Sequence, residues 1–102
     1  MAKINIGRTR KFICFVQMTP AFLKLSLEER ENWILKWNTM AKKHRLKVLF
    51  YGTTLGVQEN VVVVFETTET SDNYLKFHRE WQGLGTPEAG KFIDYTRSIT
   101  VL

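Results

Sequence analysis

The sequence holds one cysteine, two prolines, two histidines and, among ten acidic residues, only two aspartates, Asp72 and Asp94. One cysteine cannot close an internal disulfide, so nothing calls for an oxidising compartment. The two histidines, His44 and His78, have no acidic residue at ligand spacing, and no metal site is expected. No apolar run nears the ~20 residues of a membrane-spanning helix. The opening Met1-Ala2-Lys3-Ile4-Asn5-Ile6 also lacks the apolar core of a signal peptide. A cytoplasmic protein with no membrane contact is expected. Gly83-Leu84-Gly85 follows a helical pattern, whereas phosphate-binding loops precede one. No cofactor is expected.

Aromatic residues, by contrast, are plentiful. They make up 13% of 102 residues, and the hydrophobic fraction is 44%, a load that disordered chains lack. The length is that of one domain, residues 1–102, with room for a single core. The net charge of +5 invites a nucleic-acid reading. It is also an ordinary value for solubility.

Residues 1–9 are polar and basic and read as a loose arm, although Ile4 and Ile6 could pair at a sheet edge. Lys11 to Met18 is rich in aromatic and β-branched residues and is stopped by Thr19-Pro20, which reads as a first strand. After a short connector, Ser26-Leu27-Glu28-Glu29 has the form of a capping box. Ile34, Trp37, Ala41 and His44 follow at helical spacing, so a helix is expected over about 27 to 45. Lys47 to Leu55 reads as a second strand, with Gly52 suggesting a bulge or a close backbone approach. A loop over Gly56 to Asn60 leads to Val61-Val62-Val63-Val64-Phe65, whose four valines belong at a sheet centre. Helix-start residues at 68–72 precede Tyr74, Phe77, His78 and Trp81 at helical spacing. Thr86-Pro87-Glu88 suggests one more helical turn with proline first. Phe92 to Val101 closes the chain as a fourth strand.

The order strand, helix, strand, strand, helix, strand is the split βαβ pattern. It predicts an α+β, ferredoxin-like βαββαβ fold: a four-stranded antiparallel sheet with two helices on one face. Each crossover leaves room for a strand between the two it joins, which puts the first and third strands in the middle. Alternation separates the sheet faces. Phe12, Cys14, Val16, Val61, Val63 and Phe65 are assigned to the helix side. Ile13, Phe15, Gln17, Leu49, Tyr51, Thr53, Val62, Val64, Glu66, Tyr95, Arg97 and Ile99 are assigned to the open side, with the opposite assignment one residue of slip away. Two helices cover one face only, and the other is too apolar to be simply solvated. A second copy related by a two-fold axis would shield it.

The stretch from Phe15 to Arg30, with its Thr19-Pro20-Ala21-Phe22-Leu23 connector, Ser26 cap and Glu29-Arg30 pair, resembles the opening of darcynin and YciI-like members of the dimeric α+β barrel superfamily. Val63-Val64-Phe65-Glu66-Thr67 and the following helix with Phe77 and Trp81 are similar to that superfamily's third strand and second helix. The resemblance implies a homodimer, and a superfamily ranging from isomerases and monooxygenases to ligand domains of transcription regulators. YciI-like proteins carry a histidine-aspartate pair near the first helix. Neither aspartate here lies there, so no such active site is carried over.

Gln17, Tyr51, Glu66, Tyr95 and Arg97 put a few polar groups into an apolar face, the composition of a small-molecule site. Arg97 could hold a carboxylate, and Tyr51 or Tyr95 could donate a hydrogen bond. Alternatively, Glu66 and Arg97 pair with each other at a dimer interface. His78 and His44 are the candidate acid or base groups, although a structural role at the helix–sheet seam or the helix end suits them equally. Cys14 reads as core. The run Lys42-Lys43-His44-Arg45-Leu46-Lys47, with Arg8, Arg10 and Lys11, could meet nucleic acid. The Lys/Arg-Gly-aromatic pattern of RNA-binding sheets is missing, which argues against it. The expectation is a homodimer binding, or transforming, a small apolar or aromatic ligand. The alternatives are an interaction module without ligand and a basic anion-binding or nucleic-acid-binding protein.

Overall fold

The computed structural model describes residues 9–83, 85–86 and 88–101. The basic arm with Ile4, Ile6 and Arg8, and Pro87 of the expected extra turn, lie outside them. The first strand, β1 (Arg10–Met18), alternates as the sequence pattern requires. Phe12, Cys14, Val16 and Met18 are buried on one side, and Ile13, Phe15 and Gln17 are half-buried on the other. The other strands are β2 (Lys47–Thr53), β3 (Val61–Thr67) and β4 (Ile93–Val101). Their order is β2-β3-β1-β4, every neighbouring pair antiparallel. β1 and the valine-rich β3 therefore occupy the middle.

Thr19-Pro20 does more than stop β1. Thr19 caps a one-turn helix, α1 (Pro20–Leu23), with Pro20 in the first turn, where its missing N–H costs nothing. Sequence reading took this stretch as a plain connector. The main helix α2 (Leu27–Lys43) starts at Ser26, whose Oγ accepts from Glu29 N at 3.1 Å. The reciprocal half of the capping box differs from expectation. Ser26 Oγ donates to Glu29 Oε1 at 3.1 Å, so that carboxylate is engaged by the hydroxyl. The helix ends two residues early because Arg45 takes a left-handed conformation at φ 59°, and Leu46 N reaches back to Ala41 O at 3.0 Å.

The last helix, α3 (Asp72–Gln82), buries Tyr74, Phe77 and Trp81. Its end is fixed by Gly83, where a Cβ would stand 2.2 Å from the Arg79 carbonyl oxygen. Tyr74 stacks on Phe12 at 4.1 Å between ring centroids, and Phe77 stacks on Trp81 at 5.2 Å. Phe77 also meets Phe65 at 5.2 Å. Such pairs contribute about 0.5–1.5 kcal/mol beyond burial, so α3 is fastened to the two central strands by its rings.

One register detail reverses part of the face assignment. On β2, Val48 pairs with Phe65, but Phe50 pairs with Val64, which leaves Leu49 as an extra residue. The bulge shifts the alternation by one. Phe50 then shares the open face with Val64, while Tyr51 and Thr53 join Val63 and Val61 on the helix side. Leu49, Tyr51 and Thr53 are thus not one row of the open face. Gly52, suspected of marking the bulge, lies past it in regular pairing with Val62, and a Cβ there would meet nothing within 4 Å.

Candidate functional site

The fold leaves a cavity of about 330 Å³ between α1, α2 and the β2–β3 half of the sheet. Its walls are apolar: Ile34 from α2, Val48 and Val63 from the strands, and Phe65, Phe77 and Trp81. Leu23, Leu27 and Tyr51 line it and are well exposed, which sets them at its mouth. Tyr51 is there because of the bulge. Two buried donors belong to the same lining. Arg30 Nε and Trp81 Nε1 have no hydrogen-bond partner among the described residues. Buried polar groups are nearly always paired. Two unpaired donors on residues that line one apolar cavity make it the strongest candidate binding feature among the described residues.

The open face is organised by a residue that sequence reading passed over. Glu59, in the β2–β3 loop, is 4% exposed. Its carboxylate accepts from Tyr95 Oη at 3.0 Å and from Arg97 Nη2 and Nε at 3.0 and 3.3 Å. The Arg97 hydrogen bonds hold Glu59 far below the usual carboxylate range, at about 2. The same contact raises the pKa of Arg97, and burial first, then Glu59, raises that of Tyr95. The Arg97 guanidinium also lies 4.5 Å from the centroid of the Phe15 ring. Glu66 pairs instead with Lys11 at 3.3 Å, so the expected Glu66–Arg97 pair is replaced by two others. Of the five nominated residues, Gln17, Tyr95 and Arg97 cluster at one end of the open face. Glu66 sits with Lys11 further along it, and Tyr51 is on the opposite side. Gln17 Oε1 is buried without a partner among the described residues.

Asn60 holds the same loop to the sheet. Its Oδ1 accepts from Met18 N at 2.9 Å and its Nδ2 donates to Met18 O at 3.2 Å, so the side chain imitates a strand partner. Thr54 Oγ1 donates to the Glu59 carbonyl and closes the loop on itself.

The two histidines fall in separate places. His44 follows the last residue of α2 and meets Glu80 of α3, which Lys43 also contacts at 2.7 Å. These partners, Lys43 foremost, lower the pKa of Glu80. Part of the basic run is thereby neutralised, as is Arg45 by Glu69 at 3.1 Å. His78 shares a hydrogen bond of 2.9 Å with Tyr74 Oη, which shares another of 2.7 Å with Ser98 Oγ. Burial pushes His78 down to about 4 and raises both Tyr74 and Cys14. His78 Nε2 is 3.8 Å from the Cys14 sulfur. A buried thiol with a raised pKa is inert, so this cluster reads as a satisfied polar seam beneath α3. Neither histidine lines the cavity, nor does Cys14. Among the described residues no three His, Cys, Asp or Glu side chains are placed to hold a metal ion. No described helix is long and apolar enough to cross a membrane.

Solved structures share this architecture. A DABB family protein with a ferredoxin-like fold from Mesorhizobium loti superposes with a TM-score of 0.60 at 8% identity, over 92% of this chain and 95% of that one. A dimeric ferredoxin-like protein of unknown function from Thermobifida fusca gives 0.52 at 12% identity, over 91% and 89%. The fold is ferredoxin-like. A mutant chlorite dismutase from Candidatus Nitrospira defluvii gives 0.59 at 15% identity, over 91% of this chain. The chain spans only 40% of that protein's length. At such identities the likeness is one of fold. No protein-family model matches the sequence, and no curated protein matches it. Within the ferredoxin-like frame, this chain has a β2 bulge, the Glu59 clasp and, on the lining of the helix-side cavity, two donors unpaired among the described residues.

Proposed function

We propose that the protein is a homodimeric α+β barrel that binds a small apolar or aromatic ligand in the cavity between α2 and the sheet. The observation that carries this reading is the cavity itself: about 330 Å³, apolar-walled, with two buried donors unpaired among the described residues. Natural ligand sites span about 300–1,000 Å³ and combine apolar walls with a few placed polar groups. The sequence pattern alone points to the open face for this role. The bulge moves Tyr51 to the other side, Tyr95 and Arg97 are taken up by Glu59, and Glu66 is taken up by Lys11.

The open face serves association in this reading. Phe50, Ile99 and Val101 are exposed on it, and Ile13, Phe15 and Val62 only half-buried. A contiguous apolar patch of this kind marks an interface. The unpaired Gln17 Oε1 is a further acceptor for a partner to satisfy. The description of the Thermobifida fusca protein as dimeric lends support. The opening that resembles darcynin and YciI-like proteins fits the same superfamily, and binding rather than a named reaction is the activity that the lining supports.

Native mass spectrometry of the purified protein tests both halves. A dimer carrying additional small-molecule mass, released on denaturation, is the expected result. A bare monomer at micromolar concentration would overturn the dimer. A bare dimer that also fails to take up any apolar probe would overturn the ligand.

A further inference from the structure

We infer that the helix-side cavity selects an aromatic carboxylate, with Arg30 as the residue that sets this preference. The inference rests on the reading of that cavity as a ligand site and names the class of ligand it takes.

Arg30 lies in the first turns of α2, just beyond the acidic pair Glu28 and Glu29. A guanidinium stays charged at every working pH and presents its donors in a plane that matches a carboxylate. Its Nε is buried and has no partner among the described residues, and Arg30 forms no ion pair with a described carboxylate. Glu31 lines the same cavity but is exposed, where water screens it. A buried donor on a cation, left unpaired, is costly. An anionic oxygen arriving in the cavity would relieve that cost, and a neutral ligand would relieve less of it. Arg30 is half-buried, and the contact to its buried Nε is shielded from water more than one made at its outer nitrogens would be.

The rest of the lining argues for a flat ring attached to that carboxylate. Phe65 of β3 and Phe77 and Trp81 of α3 contribute aromatic rings to the lining, and such rings favour stacked or edge-on partners. Trp81 Nε1 supplies a second, uncharged donor with no described partner. A phosphate ester would bring a strongly hydrated dianion against these apolar walls, which disfavours it.

The test is calorimetric titration of the full chain with a matched pair, 2-naphthoate and 2-naphthamide, at low ionic strength. Octanoate serves as a third ligand of the same charge without a ring. Wild-type protein is expected to bind naphthoate at least tenfold more tightly than the amide and more tightly than octanoate. Arg30→Met should remove the preference for the acid while still binding the amide, and Arg30→Lys should restore part of it. Trp81→Phe should weaken acid and amide together and leave their ratio unchanged. Thermal unfolding of each variant confirms that it is folded before it is titrated. Equal binding of acid and amide by the wild type, or a preference that survives Arg30→Met, overturns the role of Arg30 and leaves the cavity standing. Octanoate binding as tightly as naphthoate overturns the aromatic requirement. No binding of any of the three overturns this inference and the ligand-site reading together.

Discussion

Trp37→Phe is the most informative perturbation of the core, because it isolates one buried hydrogen bond. Trp37 and Glu88 are 7% and 2% exposed, and the indole Nε1 donates to Glu88 Oε1 at 2.9 Å. Glu88 begins the segment that turns into β4, and its carbonyl accepts from both Phe92 N and Ile93 N. The substitution keeps an aromatic ring but leaves the Glu88 carboxyl without that donor. An unpaired buried acceptor costs about 1–3 kcal/mol. Reduced contact with Phe22 and Trp81, now at 5.5 and 5.8 Å between ring centroids, adds roughly 1 kcal/mol. The expected loss is roughly 2–4 kcal/mol, or a fall in Tm of roughly 10–30 °C for a domain of this size. Glu88→Met alone leaves the indole N–H orphaned. The double variant removes both partners and should lose at least ~1 kcal/mol less than the two single losses combined. Urea and thermal unfolding of all four proteins, at one fixed protein concentration because association shifts Tm, would measure this. Single losses that add to within ~0.5 kcal/mol, or a Trp37→Phe protein as stable as wild type, would refute the reasoning.

Other substitutions and titrations probe the remaining polar features. Glu59 has its pKa lowered from 4.5 to about 2, so its contribution is complete above 4.5 and is lost as pH falls toward 2. Glu59→Gln should abolish that part of the acid dependence of the urea midpoint, and an unchanged profile would discount the clasp. The pKa of His78, lowered from 6.5 to about 4 by burial, makes folding favour the neutral ring, so stability falls as pH drops from 6.5 toward 4. Its imidazole should titrate near 4 by NMR, and a midpoint near 6.5 would show an exposed ring. Asn60→Ala removes both bonds to Met18 and should cost about 1–3 kcal/mol, with faster hydrogen exchange at the Met18 amide. Ser26→Ala should cost about 1 kcal/mol by removing the cap of α2, read from the urea midpoint.

Much of the fold could be read because it depends on patterns local to a segment. Val61 to Val64 marks a central strand, Ser26 marks a helix start, and Tyr74, Phe77 and Trp81 mark the buried face of α3. The sheet order followed from chain order and crossover geometry. Features set by one segment meeting another were not visible. Nothing in Lys47 to Leu55 signals that Leu49 is the extra residue, because a bulge depends on how β3 pairs across from it. Glu59 sits in a loop without periodicity, and its destination on Tyr95 and Arg97 is settled only by the path of the loop. The cavity is walled jointly by α2, β2, β3 and α3, an arrangement that no single stretch encodes. Thr19-Pro20 suits a helix start as well as a strand stop, and both roles are filled at once, because β1 ends where α1 begins.

The single surplus residue at Leu49 lets one ribbon of backbone answer to two clients. Ahead of it, β2 presents Val48 to the pocket wall. Beyond it, parity is inverted, so Phe50 turns toward the surface we assign to the twin subunit while Tyr51 guards the pocket entrance. Excising that residue would leave both rings opposite their present partners, whereas ironing out the bulge with Leu49 retained would slide Phe50 opposite Val63 and Tyr51 opposite Val62 and so exchange their faces. In the proposed reading, ligand access and self-association are therefore coupled through the same kink.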